Sequence, residues 1–111
     1  MGKIKVVGIE KLQKKLKKNV QMDDVRRVVR HNGAEMQEGA QRNAPVDTGT
    51  LKRSIELSMR DAGLTAEVEP TAEYAPYVEL GTRFMKAQPY LMPAFNEQKR
   101  KFEKDMKKLV E

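Results

Sequence analysis

Few residues of this 111-residue chain have the types and spacing that chemistry requires. Asp47-Thr48-Gly49 is the tripeptide that presents the catalytic acid of aspartic proteases, and a chain of this length could supply half of a two-fold site. Its context argues otherwise. Those enzymes set the tripeptide at the end of an apolar strand in an almost all-β fold, whereas here a long polar helical segment precedes it and Thr50-Leu51-Lys52 follows. The structural expectation is that Asp47 or Thr48 accepts hydrogen bonds from the free backbone donors of a short turn beginning near Gly49, which sets Leu51 inward. His31 is the only histidine, so it cannot anchor a metal cluster among scattered acids, and mid-helix it is expected at or near the surface. Glu79, among the apolar neighbours Tyr77, Val78 and Leu80, reads either as a buried acid paired with Arg or Lys or as a solvent-facing helix residue. With no cysteine there is no disulfide, thiolate nucleophile or thiolate metal site. No glycine-rich turn followed by Lys joins a strand to a helix, so a phosphate cradle is missing too. Neither a nucleophile with its base nor a ligand set emerges, and the expectation is a non-enzyme without cofactor or metal.

The residues with the strictest backbone demands concentrate elsewhere, in Ala44-Pro45-Val46-Asp47-Thr48-Gly49-Thr50-Leu51-Lys52-Arg53-Ser54-Ile55 and in Tyr77-Val78-Glu79-Leu80-Gly81-Thr82 with Ala87-Gln88-Pro89-Tyr90-Leu91-Met92-Pro93-Ala94. Proline and glycine placed where periodicity is weakest mark fixed loops, and fixed loops lower the ordering cost of association. Joining, rather than catalysis, is the task they suggest. Leu51, Tyr77, Leu91 and Phe95 are the expected core or interface anchors.

The elements that position these loops follow from periodicity. Lys3 to Gly8 reads as a short edge strand, and Ile9 to Lys18 as a helix with a narrow Ile9, Leu12, Leu16 stripe on an otherwise lysine-rich surface. Asp23 and Asp24 open a second helix, where the macrodipole favours acids, and Val25, Val28, Val29, Met36 and Ala40 carry its buried stripe to about Asn43. Gly33 and Gly39 either admit a close neighbour or bend that helix, each costing about 1 kcal/mol relative to Ala. The period then becomes two: Ile55, Leu57, Met59 and Leu64, Ala66, Val68 alternate with polar residues, and Asp61-Ala62-Gly63 makes the hairpin turn. A ribbon with one apolar and one acidic, polar face is expected to pack helices on one side only. Glu73 to Leu80 reads as a two-turn helix with Pro76 in its first turn and Gly81 ending it in a left-handed conformation. Met92 to Val110, with Phe95, Phe102, Met106, Leu109 and Val110 on one stripe, gives roughly 27 Å of amphipathic helix. The sum is one α+β domain over residues 1–111: a small antiparallel sheet packed against two long helices and shorter ones.

Composition bounds the rest. The 39% hydrophobic and 34% charged fractions and a mean hydropathy of −0.73 describe a soluble chain with a modest core under a large charged surface. The first residues lack a signal-peptide apolar stretch, and no run nears the ~20 apolar residues of a membrane span. No Trp and six other aromatics leave little for stacking on nucleic-acid bases. The net charge of +6 is uneven: residues 1–30 carry ten Lys or Arg against three acids, residues 31–95 six against nine, and residues 96–111 six against four. Such asymmetry turns a positive face toward a polyanion or toward a neighbour's acidic face; a plain solvated helix surface is the alternative.

The two loop strings, with a hairpin between them, resemble the HK97-type family of phage tail components, the product of gene ten and its relatives, over nearly the whole chain. Leu80 and Met92 stand where other members often have an aromatic and an Arg. The resemblance implies an α+β fold and a structural virion protein of a long-tailed phage or prophage. It implies a tail-completion or head-tail joining role: a homo-oligomeric ring in the neck, commonly thought six-fold, between the head-closure or connector proteins and the tail terminator. Localisation is then the virion, with the host cytoplasm during assembly, and the subunit is free to stay monomeric until the neck templates the ring. Pro45, Asp47, Thr48, Gly49, Leu51, Tyr77, Glu79, Gly81, Thr82, Gln88, Pro89 and Pro93 are the motif and interface residues it points to. Lys11, Lys14, Lys15 and Lys18 are the candidates for facing DNA that passes through a channel without being read. The competing class is a basic, non-sequence-specific nucleic-acid-binding module, favoured by a pI near 9.6 but lacking a recognition helix with base-reading Arg, Asn or Gln.

Overall fold

A computed structural model describes residues 4–7, 21–45 and 49–110. The Ile9 to Lys18 helix expectation and residues 46–48 lie outside them. Strand β1 (Ile4–Val7) is followed by α1 (Met22–Asn43), α2 (Thr50–Ser54), the hairpin strands β2 (Ile55–Arg60) and β3 (Thr65–Pro70), α3 (Ala75–Leu80) and α4 (Leu91–Val110). The sheet is antiparallel throughout, in the order β1-β3-β2, so β1 is the expected edge strand and β3 the middle one.

Helix α1 runs unbroken beneath this sheet. Val25, Val29, Met36 and Ala40 of its stripe are buried, and Val28 is half-buried against them. Its glycines admit close neighbours rather than bend it: a Cβ on Gly33 would stand 2.6 Å from the Ala66 Cβ on β3, and one on Gly39 would stand 3.3 Å from the Ala94 Cβ on α4. Helix α4 lies antiparallel along α1, because Asn32 meets Asp105 near the end of α4 while Gly39 meets Ala94 near its start. Phe102, Met106, Leu91 and Ala94 close the core from that side.

On the acidic, polar face of the ribbon Thr65 and Glu67 of β3 are buried. A middle strand is shielded by neighbours on both flanks; Thr65 Oγ1 donates to Asp61 Oδ2 at 2.7 Å, and Glu67 lies 3.6 Å from the Arg60 guanidinium. The short helix before Gly81 begins at Ala75 rather than Glu73, because residues 71–74 form a turn anchored by Thr71, whose N–H donates to the Ser54 carbonyl at 2.9 Å.

Between α1 and α4 lies a polar seam absent from the hydrophobic pattern. Asn32, fully buried, donates through Nδ2 to the Val28 carbonyl and to Asp105 Oδ2, while Gln98 Nε2 donates to Asn32 Oδ1 and to Glu35 Oε1. His31, exposed as expected, lies 3.2 Å from Glu35. No buried side-chain polar atom among the described residues lacks a partner, so the seam fixes the register of the two long helices without a desolvation penalty left open.

Candidate assembly interface

The fold brings the two loop segments to one end of the molecule. After α1 ends at Asn43, Pro45 and Gly49 redirect the chain; Gly49 is left-handed at φ 74°, ψ −2°, and opens α2. Leu51 is thereby buried, as expected of an anchor. Ser54 closes the turn by donating through Oγ to the Leu51 carbonyl at 2.8 Å. Whether Asp47 or Thr48 assists lies outside the described residues.

Opposite stands α3 and the loop after it. Pro76 occupies the first turn, and the Gly81 N–H caps the helix on the Tyr77 carbonyl at 2.8 Å. Gly81 takes φ 78° and ψ 173°, a glycine-only region rather than the expected left-handed helical one. The reason is the returning chain: a Cβ there would lie 2.7 Å from the Ala87 N and 3.0 Å from the Met85 O. Thr82 and Met85 exchange backbone hydrogen bonds, Thr82 Oγ1 accepts from the Phe84 N–H at 3.1 Å, and the Gln88 N–H returns to the Val78 carbonyl. Arg83 and Phe84 form the tip of this tight loop, with the guanidinium 5.5 Å from the ring centroid.

Glu79 is the joint between the two halves. It is half-buried and forms no ion pair with a described residue; its carboxylate serves backbone donors instead. Its Oε1 accepts from the Tyr90 and Leu91 N–H groups at 3.0 and 2.8 Å, and its Oε2 accepts from the Met92 N–H at 3.2 Å. A carboxylate from one helix thus caps the N-terminus of another, where free donors and the positive end of the dipole favour it. Tyr90, fully buried, donates its hydroxyl to the Ala75 carbonyl at 3.3 Å. Burial, and the Glu79 charge beside it, push the phenol from 10.0 up to about 12.

These parts enclose an open, mostly apolar groove of about 360 Å3 lined by Pro45, Thr50 and Leu51 on one wall and Tyr74, Val78, Met85 and Gln88 on the other. Beside it, residues 74 to 92 leave Tyr74, Tyr77, Leu80, Phe84, Met85 and Met92 in solvent, with Phe84 at 90% exposure and Tyr77 at 58%. Phe84 is thus held in solvent on a hydrogen-bonded turn.

Of the expected interface residues, Pro45, Leu51 and Gln88 line this groove; Gly49, Tyr77, Glu79, Gly81 and Thr82 belong to the segments that carry its walls without lining it, and Pro89 and Pro93 are exposed at the start of α4. Leu91 is buried, Phe95 is half-buried on the core, and Tyr77 is at the surface. Asp47, Thr48, Lys11, Lys14, Lys15 and Lys18 fall outside the described residues. Sequence reasoning missed Phe84; an aromatic between Arg83 and Met85 in a stretch bounded by glycine and proline was its available signal. Among the described residues, no three His, Cys, Asp or Glu side chains gather where a metal could be held, and no helix is long and apolar enough to cross a membrane.

A family model described as "Bacteriophage HK97-gp10, putative tail-component" matches residues 9–81, which takes in Pro45, Thr50, Leu51, Tyr74 and Val78 of the groove but not Met85 and Gln88. No curated protein and no solved structure matches the chain.

Proposed function

From the premise that this chain belongs to the HK97-gp10-like family of phage tail components, we propose that it completes the tail and joins it to the head as a ring in the phage neck. A structural role in the phage tail, and hence a place in the virion, follows from the family itself. What supports the finer reading is the exposed apolar face at which the two loop segments converge. Tyr77, Leu80 and Phe84 are 58%, 62% and 90% exposed in the subunit, and the turn that carries Phe84 is held by hydrogen bonds of its own. Such a face gains stability only when another subunit or a neighbouring virion protein buries it. A loop already fixed gives up little further freedom on docking. The neighbours in this reading are copies of the chain, the head-closure proteins and the tail terminator.

Interrupting the gene in the phage or prophage that carries it, inducing, and viewing the lysate by negative-stain electron microscopy tests the role. Filled heads beside separate or malformed tails are expected. Normal infectious particles would overturn it.

A further inference from the structure

The outer face of α4 carries a line of cations that the core does not explain. Arg100, Lys104, Lys107 and Lys108 recur at i, i+4, i+7 and i+8, so they share one face of the helix, and all four are exposed. The opposite face holds the buried Gln98, Phe102 and Met106. The acids nearby do not neutralise the line. Glu97 pairs with Lys101 at 3.5 Å, and Asp105 accepts from Asn32, which leaves the exposed Glu103 as the one other acid of α4 among the described residues. None of the four cations forms an ion pair with a described residue.

We infer that this ridge of α4 is a contact for the phosphate backbone of duplex DNA, bound without reading its sequence. The choice of duplex DNA rests on the neck reading above; the attraction itself rests on charge. Four cations over nine residues span about 12 Å at 1.5 Å per residue step, and that length of duplex axis carries roughly seven phosphates. The ridge from Arg100 to Lys108 holds no aromatic side chain on which an unpaired base could stack and no apolar one to enter a lipid surface. Three of its four cations are lysines, compact charges suited to phosphate attraction rather than to the bidentate reading of base edges. A conduit needs such attraction: enough to guide the polymer, with no sequence at which it stops.

The test uses the full chain and a fluorescent duplex of arbitrary sequence, followed by anisotropy between 50 and 200 mM salt. Four phosphate contacts predict an affinity that falls about 150-fold across that range. The variant Arg100→Gln/Lys104→Gln/Lys107→Gln, its fold checked by circular dichroism, is expected to bind more weakly and to make the salt-dependent loss about 40-fold smaller. The control Lys52→Gln/Lys86→Gln, exposed near the groove, is expected to leave both unchanged. Absence of binding by the parent, or an unchanged salt dependence in the triple variant, overturns the inference. So does the loss of binding in Lys11→Gln/Lys14→Gln/Lys15→Gln with none in the α4 variant.

Discussion

One carboxylate decides how the groove end is put together. Glu79 receives three backbone N–H groups from the start of α4, so it fixes the angle between that helix and α3 and, with it, the far wall of the groove. Replacing Glu79 by Ala leaves those donors without an acceptor and is expected to destabilise the fold by about 1–3 kcal/mol in urea unfolding, with Glu79→Gln costing less because its carbonyl still accepts. Tyr90, directly behind, gives the same end a sensitivity to alkali. A phenol held near 12 stays protonated in the folded chain where the unfolded one, at 10.0, has begun to ionise. Its contribution is therefore full below pH 10 and is lost as pH rises toward 12. Denaturant midpoints measured across that window are expected to fall in the parent and to fall less in Tyr90→Phe. Neither role was legible in the sequence. Glu79 showed only as an acid among apolar residues, and the donors it serves lie eleven or more positions away, beyond the reach of a local pattern.

At the scale of elements, the long helices could be read from periodicity because each buries one stripe, and the hairpin and the edge strand from short alternating or apolar runs bounded by glycine. Met22–Asn43 and Leu91–Val110 start within a residue of the acids and apolar positions that announced them. What periodicity does not carry is the polar seam between them, since a buried Asn32 or Gln98 looks like a surface residue until its partner across the helix pair is known. The two helix glycines also become distinguishable only in three dimensions. Gly33→Ala drives a methyl into Ala66 and is expected to lower stability by about 1–3 kcal/mol. At Gly39 the approach to Ala94 is a milder 3.3 Å, and the roughly 1 kcal/mol of helix propensity gained is expected to offset it, so that thermal unfolding of Gly39→Ala stays close to the parent.

For the whole molecule, a small core and an exposed aromatic face belong to one account. The subunit folds around a sheet, two long helices and a polar seam, while its apolar surplus is placed at the end where the two proline- and glycine-bearing segments meet. The segments were visible in sequence; their convergence was not, because Leu51 and Val78 are brought together only by the sheet and by the Glu79 cap. A residue presented to a partner differs from a core residue in one measurable respect. Phe84→Ser and Tyr77→Ser are expected to change the stability of the isolated subunit by no more than about 0.5 kcal/mol, as usual for surface positions, and yet to abolish joining. The most direct measurement is to complement the interrupted gene with the Tyr77→Ser/Phe84→Ser double variant and count joined particles by negative-stain electron microscopy. Folded protein with filled heads and unattached tails is the predicted result. Joined, infectious particles at the level given by the parent gene would contradict the assignment of this face to assembly.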